Sequence, residues 1–280
     1  MTMPAGHPGP VDIDALISHT HMRRVLAFGA HPDDLDFGAA ATIAALTARG
    51  IPVTLCLITD GDAGGFSGEH DAEAMAERRR EEQHSAAAEL GVESTIFLGE
   101  RDGYVEPDHD LIKSMVRVIR TVKPDLIMGQ HPERAWDRLQ KSHPDHLASG
   151  EALVRACYPA VENPYAYPDL LRDEGLEAFY VRWLLLMAAP QNYDLMTVDV
   201  TGHESAKMAA LQRHVSQHPD PDRMTQYVLE QMRALHHRAG ASGAFRHGTS
   251  AGRDESAELP GYAEEFHLIE VNGPATIAGF

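Results

Sequence analysis

Two four-residue runs carry the residue types that do chemistry: His31-Pro32-Asp33-Asp34 and His143-Pro144-Asp145-His146. Together they gather three imidazoles and three carboxylates on a few residues of backbone. Two histidines with one carboxylate make a ligand set suited to a catalytic divalent metal such as zinc, and Fe(II) suits the same set. In the first run Pro32 fixes one φ angle and discourages helix at His31, which favours a rigid turn. His31 and Asp34 can then converge on one ion and leave Asp33 free beside it. A divalent cation lowers the pKa of water towards ~7 and a neighbouring carboxylate takes the proton, which is what hydrolysis needs. The competing reading is a helix-capping turn, with Asp33 or Asp34 as the N-cap of the next helix.

The second run repeats the His-Pro-Asp pattern, and the i,i+3 spacing of His143 and His146 lets both rings point into one pocket. One of these histidines completes the metal set. The other, held as an imidazolium by Asp145, stabilises an oxyanion and protonates a leaving amine. Against this stands a solvated turn with incidental histidines, in a chain that holds 17 of them.

The surrounding elements put both runs where ligands bind. Strand-like segments at Val25–Phe28, Val53–Ile58, Thr95–Leu98 and Asp125–Met128 alternate with helix-like segments at Phe37–Arg49, Asp71–Leu90, Asp108–Val122 and His146–Cys157. Gly50 and Gly91 close two of these helices, and Pro124 stops a third. Strand–helix–strand repetition with short connections predicts parallel strands and right-handed crossovers, an α/β Rossmann-like three-layer sandwich with a mainly parallel sheet. Continuously apolar strands fit burial on both faces. In such a sheet the ligand site lies in the loops after the strands. Further strands are expected at Val181–Ala188, Met196–Val200 and His267–Val271, with helices at His203–Val215 and Arg223–Arg238. No linker divides the chain, so residues 24–280 are read as one domain behind an N-terminal extension, 1–23. Gly240–Leu259, rich in Gly, Ser and Ala, reads as a mobile surface loop.

Composition narrows the classes. An apolar share of 43% is ordinary for a globular core. A net charge of −18 argues against nucleic-acid binding, which needs a basic surface. No apolar run of about 18 residues predicts a membrane span. Residues 1–24 lack the apolar centre of a secretory signal, and two isolated cysteines, Cys56 and Cys157, suggest reduced thiols; the expected compartment is the cytoplasm. No dinucleotide-binding glycine motif, phosphate-binding loop or Gly-x-Ser-x-Gly elbow is present. His131 after the fourth strand is read as shaping the site without ligating, and the downstream His214, His218, His236, His237 and His247 as surface positions.

Ala30-His31-Pro32-Asp33-Asp34 followed by His143-Pro144-Asp145-His146 resembles the PIG-L/LmbE-like deacetylases. That family includes N-acetylglucosaminyl-phosphatidylinositol deacetylases and the deacetylases and amidases of mycothiol and bacillithiol metabolism. The resemblance runs from about Arg24 to about Val215. It takes in Thr59–Gly65, Arg79 with Glu82 before Leu90-Gly91-Val92, and Arg101-Asp102-Gly103, and Tyr262–Phe266 matches a further family element. It implies that His31, Asp34 and His146 bind zinc, that Asp33 is the general base, and that His143, next to Asp145, is the acid or oxyanion stabiliser. It also implies that Arg79 and Asp102 contact the polar substrate, a small N-acyl amino sugar or conjugate. Many members carry Glu directly after the Asp pair, where this chain has Leu35 and then Asp36. The expected activity is removal of an N-acyl group, acetyl above all, by metal-activated water. An amidase of thiol conjugates and a tailoring deacetylase of a glycosylated natural product keep the chemistry and change the substrate. A non-catalytic metal- or sugar-binding protein is the rival from another class, and self-association is left open.

Overall fold

The computed structural model describes residues 11–66, 71–241 and 261–273. Its centre is a mixed eight-stranded sheet: β1 Val11–Asp12, β2 Val25–Gly29, β3 Val53–Thr59, β4 Ser94–Glu100, β5 Leu126–Gln130, β6 Trp183–Met187, β7 Met196–Asp199 and β8 Ala263–Glu270. The strand order is β1-β7-β8-β6-β5-β2-β3-β4. All neighbours are parallel except β8, which runs antiparallel to both β6 and β7.

Alternation along the strands builds the three layers, because successive side chains point to opposite faces. Val25 and Ala27 of β2 join Leu55 and Leu57 in one apolar cluster, while Leu26 and Phe28 join Cys56 and Ile58 in the other. The first face is covered by α1 Ile13–Thr20, α2 Asp34–Thr47, α3 Ala72–Glu89, α7 Glu204–Leu211 and α8 Pro221–Ala241. The second is covered by α4 His109–Val122, α5 Pro144–Arg155 and α6 Pro168–Glu174. Local signals set the helix starts. The Asp71 carboxylate accepts the Ala74 N–H, and that of Asp108 accepts those of Asp110 and Leu111.

Three expectations are corrected. The chain before Arg24 is not all outside the domain, since Val11 pairs with Val198 and Ile13, Leu16 and Met22 lie in the core. The final strand begins at Ala263, four residues before the expected His267, because its first half pairs with β7 and its second half with β6. The helix expected at His203–Val215 ends at Leu211. The loop expected at Gly240–Leu259 lies, from residue 242, outside the described residues. Among the described residues no helix is long and apolar enough to cross a membrane.

Candidate active site

Strand order decides which loops meet. Strands β2 and β5 are neighbours, Val25 beside Leu126 and Ala27 beside Met128, so the chain leaving β2 and the segment between β5 and α5 share one edge of the sheet. Each delivers one of the two motifs. His31 follows β2 directly, Asp34 opens α2, and Pro144 at the start of α5 sets His146 one turn into that helix.

Asp34 stands between two rings. One carboxylate oxygen lies 3.0 Å from His146 Nε2 and the other 3.3 Å from His31 Nδ1. Each imidazole ties its far nitrogen to a protein acceptor. His31 Nε2 lies 3.1 Å from Asp145 Oδ2 and 3.1 Å from Asp102 Oδ1, and His146 Nδ1 lies 3.3 Å from the Lys141 carbonyl. Anchoring the outer nitrogen fixes the tautomer and leaves the inner one as a lone-pair donor, the usual support of a metal-bound histidine. The donor set of His31, Asp34 and His146 therefore suits a divalent cation. Donor atoms of His31, His143 and His146 also fall within 4.8 Å of one another, as do those of His31, Asp102 and Asp145. In the latter group Asp145 Oδ2 also accepts the Gly103 N–H at 2.7 Å, so these carboxylates act as the outer partners of His31.

The cluster is built for positive charge. Burial opposes a proton on His31, but hydrogen bonds to Asp102, Asp145 and Asp34 outweigh it and push its pKa up to about 12. Burial likewise opposes ionisation of Asp34, yet the charge and hydrogen bonds of His146 and His31 hold it well below the usual carboxylate range. A cation held among these carboxylates would supply the charge that this proton supplies.

Asp33 has a different environment. It precedes α2 with φ 99° and makes no side-chain cap to the helix, so the capping alternative is not what this residue does. Its N–H donates to Gln83 Oε1 at 2.9 Å, and its carboxylate lies 3.4 Å from Arg79 Nη2. Burial raises its pKa to about 6 against the pull of Arg79, with Asp34 adding repulsion. His143 is exposed, and its Nδ1 accepts the Asp145 N–H at 3.2 Å. Burial and the charge of His31 lower its pKa. The expected carboxylate clamp of Asp145 on His143 is thus corrected: the Asp145 side chain turns to His31 and Gly103.

Arg79 is buried, unlike its neighbour Arg78. Its guanidinium donates to the carbonyls of Pro32 and Gly61, and Nη1 lies 3.8 Å from Asp102 Oδ2. Gly61 has φ +68°, and a Cβ there would overlap that guanidinium. The Thr59–Gly65 loop is thereby tied to the His-Pro-Asp turn.

Sequence reasoning missed a second row of residues. Gln130 Nε2 donates to Asp34 Oδ2 at 2.8 Å. Behind Asp33, Gln83 Nε2 donates to Asp36 Oδ2 at 3.0 Å, and His214 Nε2 lies 3.0 Å from the same oxygen. His214 and Asp36 are both fully buried, which corrects the surface assignment of His214. The available signal was Asp36 itself, a carboxylate on the inner face of an Ala-rich helix that needs a partner. His218 is half-buried, ring to ring with Phe37; His236 is half-buried, His237 exposed, and His247 lies outside the described residues. His131 is buried, with Nε2 3.2 Å from His267 Nδ1.

The family described as PIG-L, GlcNAc-PI de-N-acetylase, matches residues 26–157. A diacetylchitobiose deacetylase of Thermococcus kodakarensis is 30% identical over 200 residues, covering 71% of this chain and 72% of the relative. A probable N-acetyl-alpha-D-glucosaminyl L-malate deacetylase of Bacillus subtilis is 35% identical over 139 residues, 48% of this chain and 60% of the relative. Among solved structures, the N,N'-diacetylchitobiose deacetylase of Pyrococcus horikoshii superposes with a TM-score of 0.76 at 22% identity, covering 92% of this chain and 87% of that one, which speaks for the fold. By its sequence relatives and its architecture, this chain belongs to the PIG-L family of de-N-acetylases.

Proposed function

We propose that this protein is a divalent-metal-dependent amide hydrolase that removes an N-acyl group, acetyl in the first instance, from an amino-sugar-type small molecule. The observation that carries this reading is the position of Asp34 between His31 Nδ1 and His146 Nε2, with both outer nitrogens anchored. His31, Asp34 and His146 would hold the ion, zinc by preference for this donor set. When bound, a divalent ion polarises an amide carbonyl and makes water acidic enough to lose a proton near neutral pH.

This chain's residues do the rest. Asp33, ionised at neutral pH yet more basic than an exposed carboxylate, takes the proton from the attacking water. The hydroxide adds to the amide carbon. His143 is neutral, and because its Nδ1 accepts the Asp145 N–H, its proton sits on Nε2 and is donated as a hydrogen bond to the developing oxyanion. The C–N bond breaks, Asp33 returns its proton to the leaving nitrogen, and a carboxylic acid and an amine result. Asp102 accepts hydroxyl hydrogens of the sugar, while Arg79 holds the loop that carries Asp33. Relatives named as acting on N-acetylglucosamine-type molecules support the substrate class. The two buried, free cysteines support a reducing compartment, the cytoplasm.

Amine release from N-acetylglucosamine and N,N'-diacetylchitobiose, followed with fluorescamine, tests the proposal. Release that a chelator abolishes and zinc restores is expected. Metal-loaded protein that releases no amine from any N-acyl amino sugar would be a binding protein instead.

A further inference from the structure

A cavity of about 720 Å³ opens beside the site. It reaches the centre through Asp34 and His146 only; His31, Asp33, Arg79 and Asp102 do not line it. One wall is apolar, formed by Met187, Leu195, Val228, Met232 and Leu235, and the buried Lys207–Glu264 pair, Arg238 and Glu265 share the lining. Exposed Trp136 and Leu139 belong to the segment that supplies Ala135, Asp137, Arg138 and Gln140 to the lining. Its volume is that of a pocket for a drug-sized ligand, roughly 300–1,000 Å³, far beyond the need of an acetyl methyl.

Sheet order separates the two halves of a substrate. Asp102 and the Thr59–Gly65 loop follow β4 and β3, on one side of β2, whereas Gln130, Met187 and Ala263 of the cavity wall come from β5, β6 and β8 on the other. The scissile amide lies at the centre between them. With the sugar at Asp102, the group on the carbonyl carbon points into this cavity, towards its wall of Met187, Val228, Met232 and Leu235. We propose that this cavity is an acyl-chain chamber and that the preferred substrates carry N-acyl groups well longer than acetyl. The inference rests on the hydrolase reading and deepens it. The step is the same hydrolysis: water adds to the amide carbon, the C–N bond breaks, and a fatty acid and an amino sugar leave.

Each methylene buried against the wall multiplies affinity about fourfold. Zinc-loaded protein should therefore cleave N-octanoylglucosamine with a kcat/KM at least about a hundredfold above N-acetylglucosamine, rising along an acetyl, butyryl, hexanoyl, octanoyl series. The octyl glycoside of N-acetylglucosamine, which carries the same chain on the sugar side, should show no such gain. Calorimetry should detect binding of octanoate and none of acetate. Leu235→Trp, at a half-buried position, should weaken octanoate binding and the octanoyl-to-acetyl preference at least about tenfold. A flat or falling series, octanoate that does not bind, or a gain confined to the octyl glycoside overturns the chamber and leaves the deacetylase intact. No amine from any member of the series overturns both.

Discussion

Glu264 offers the sharpest test of how the site is held. This residue on β8 is buried, and its carboxylate accepts from Lys207 Nζ at 2.7 Å, Thr42 Oγ1 at 2.6 Å, Thr42 N at 2.9 Å and Ala41 N at 3.2 Å. Lys207, also buried, donates in addition to the Phe37 carbonyl at 2.6 Å. The ion pair is thus grafted onto the middle of α2, the helix whose first turn carries Asp34, and both residues line the large cavity. Glu264→Ala leaves the buried Lys207 ammonium without its counter-charge. Breaking a buried pair from one side costs about 3–5 kcal/mol. At roughly 2–4 °C per kcal/mol for a domain approaching this size, the melting temperature falls by about 6–20 °C. The double variant Glu264→Leu, Lys207→Met removes both charges, and the Phe37 carbonyl keeps the i+4 N–H of its own helix as a partner. It should lie within about 1 kcal/mol of the native protein, because a buried pair replaced by apolar groups is often neutral. Paired urea and thermal melts give the cycle. A single variant costing under about 1 kcal/mol, or a double variant as unstable as the two singles summed, refutes the account.

Other expectations test the chemistry. Asp33→Asn keeps shape and removes the base, so turnover should fall by ~10²–10⁴ while metal content by mass spectrometry stays native; native turnover would take Asp33 out of the mechanism. His131 gives a pH test away from the ligands. Burial and the neighbouring His267 lower its folded pKa to about 4. Below the unfolded value near 6.5 the unfolded chain takes up a proton that the folded one refuses, so stability is lost as pH falls from about 6.5 towards 4. The stability of native protein relative to His131→Gln, from denaturant melts at stepped pH, should shrink across that window; a constant difference would contradict the assignment.

The strands and helices from β2 to α5 were legible because their periodicity and their glycine and proline stops are local. So were the two motifs, each contiguous in sequence, one just after β2 and the other at the start of α5. What escaped depends on contacts between distant segments. Val11–Asp12 is too short to register as a strand until Val198 and Asp199 lie beside it. The antiparallel direction of β8 is set by its place between β6 and β7, and an apolar alternation reads alike in both directions. The burial of His214 follows from the seating of α7 and the turn after it on α2 and α3, which no run of residues near His214 announces.

The turn at Asp33 shows how residue type alone can suggest a role that the backbone does not allow. Asp ahead of an Ala-rich helix is a good N-cap by residue type, and a cap needs extended backbone. Here φ is 99°, a conformation that Asp tolerates better than most residues but that still costs about 1–3 kcal/mol. Gln83 on its N–H and Arg79 on the preceding carbonyl hold it there, both from α3, some fifty residues along the chain. The strained backbone leaves the carboxylate without a helix N–H to accept and faces it to Arg79, beside the Asp34 cluster. A relaxed turn would have set one of its oxygens on a helix N–H, the role that the Asp71 and Asp108 carboxylates take at the starts of α3 and α4.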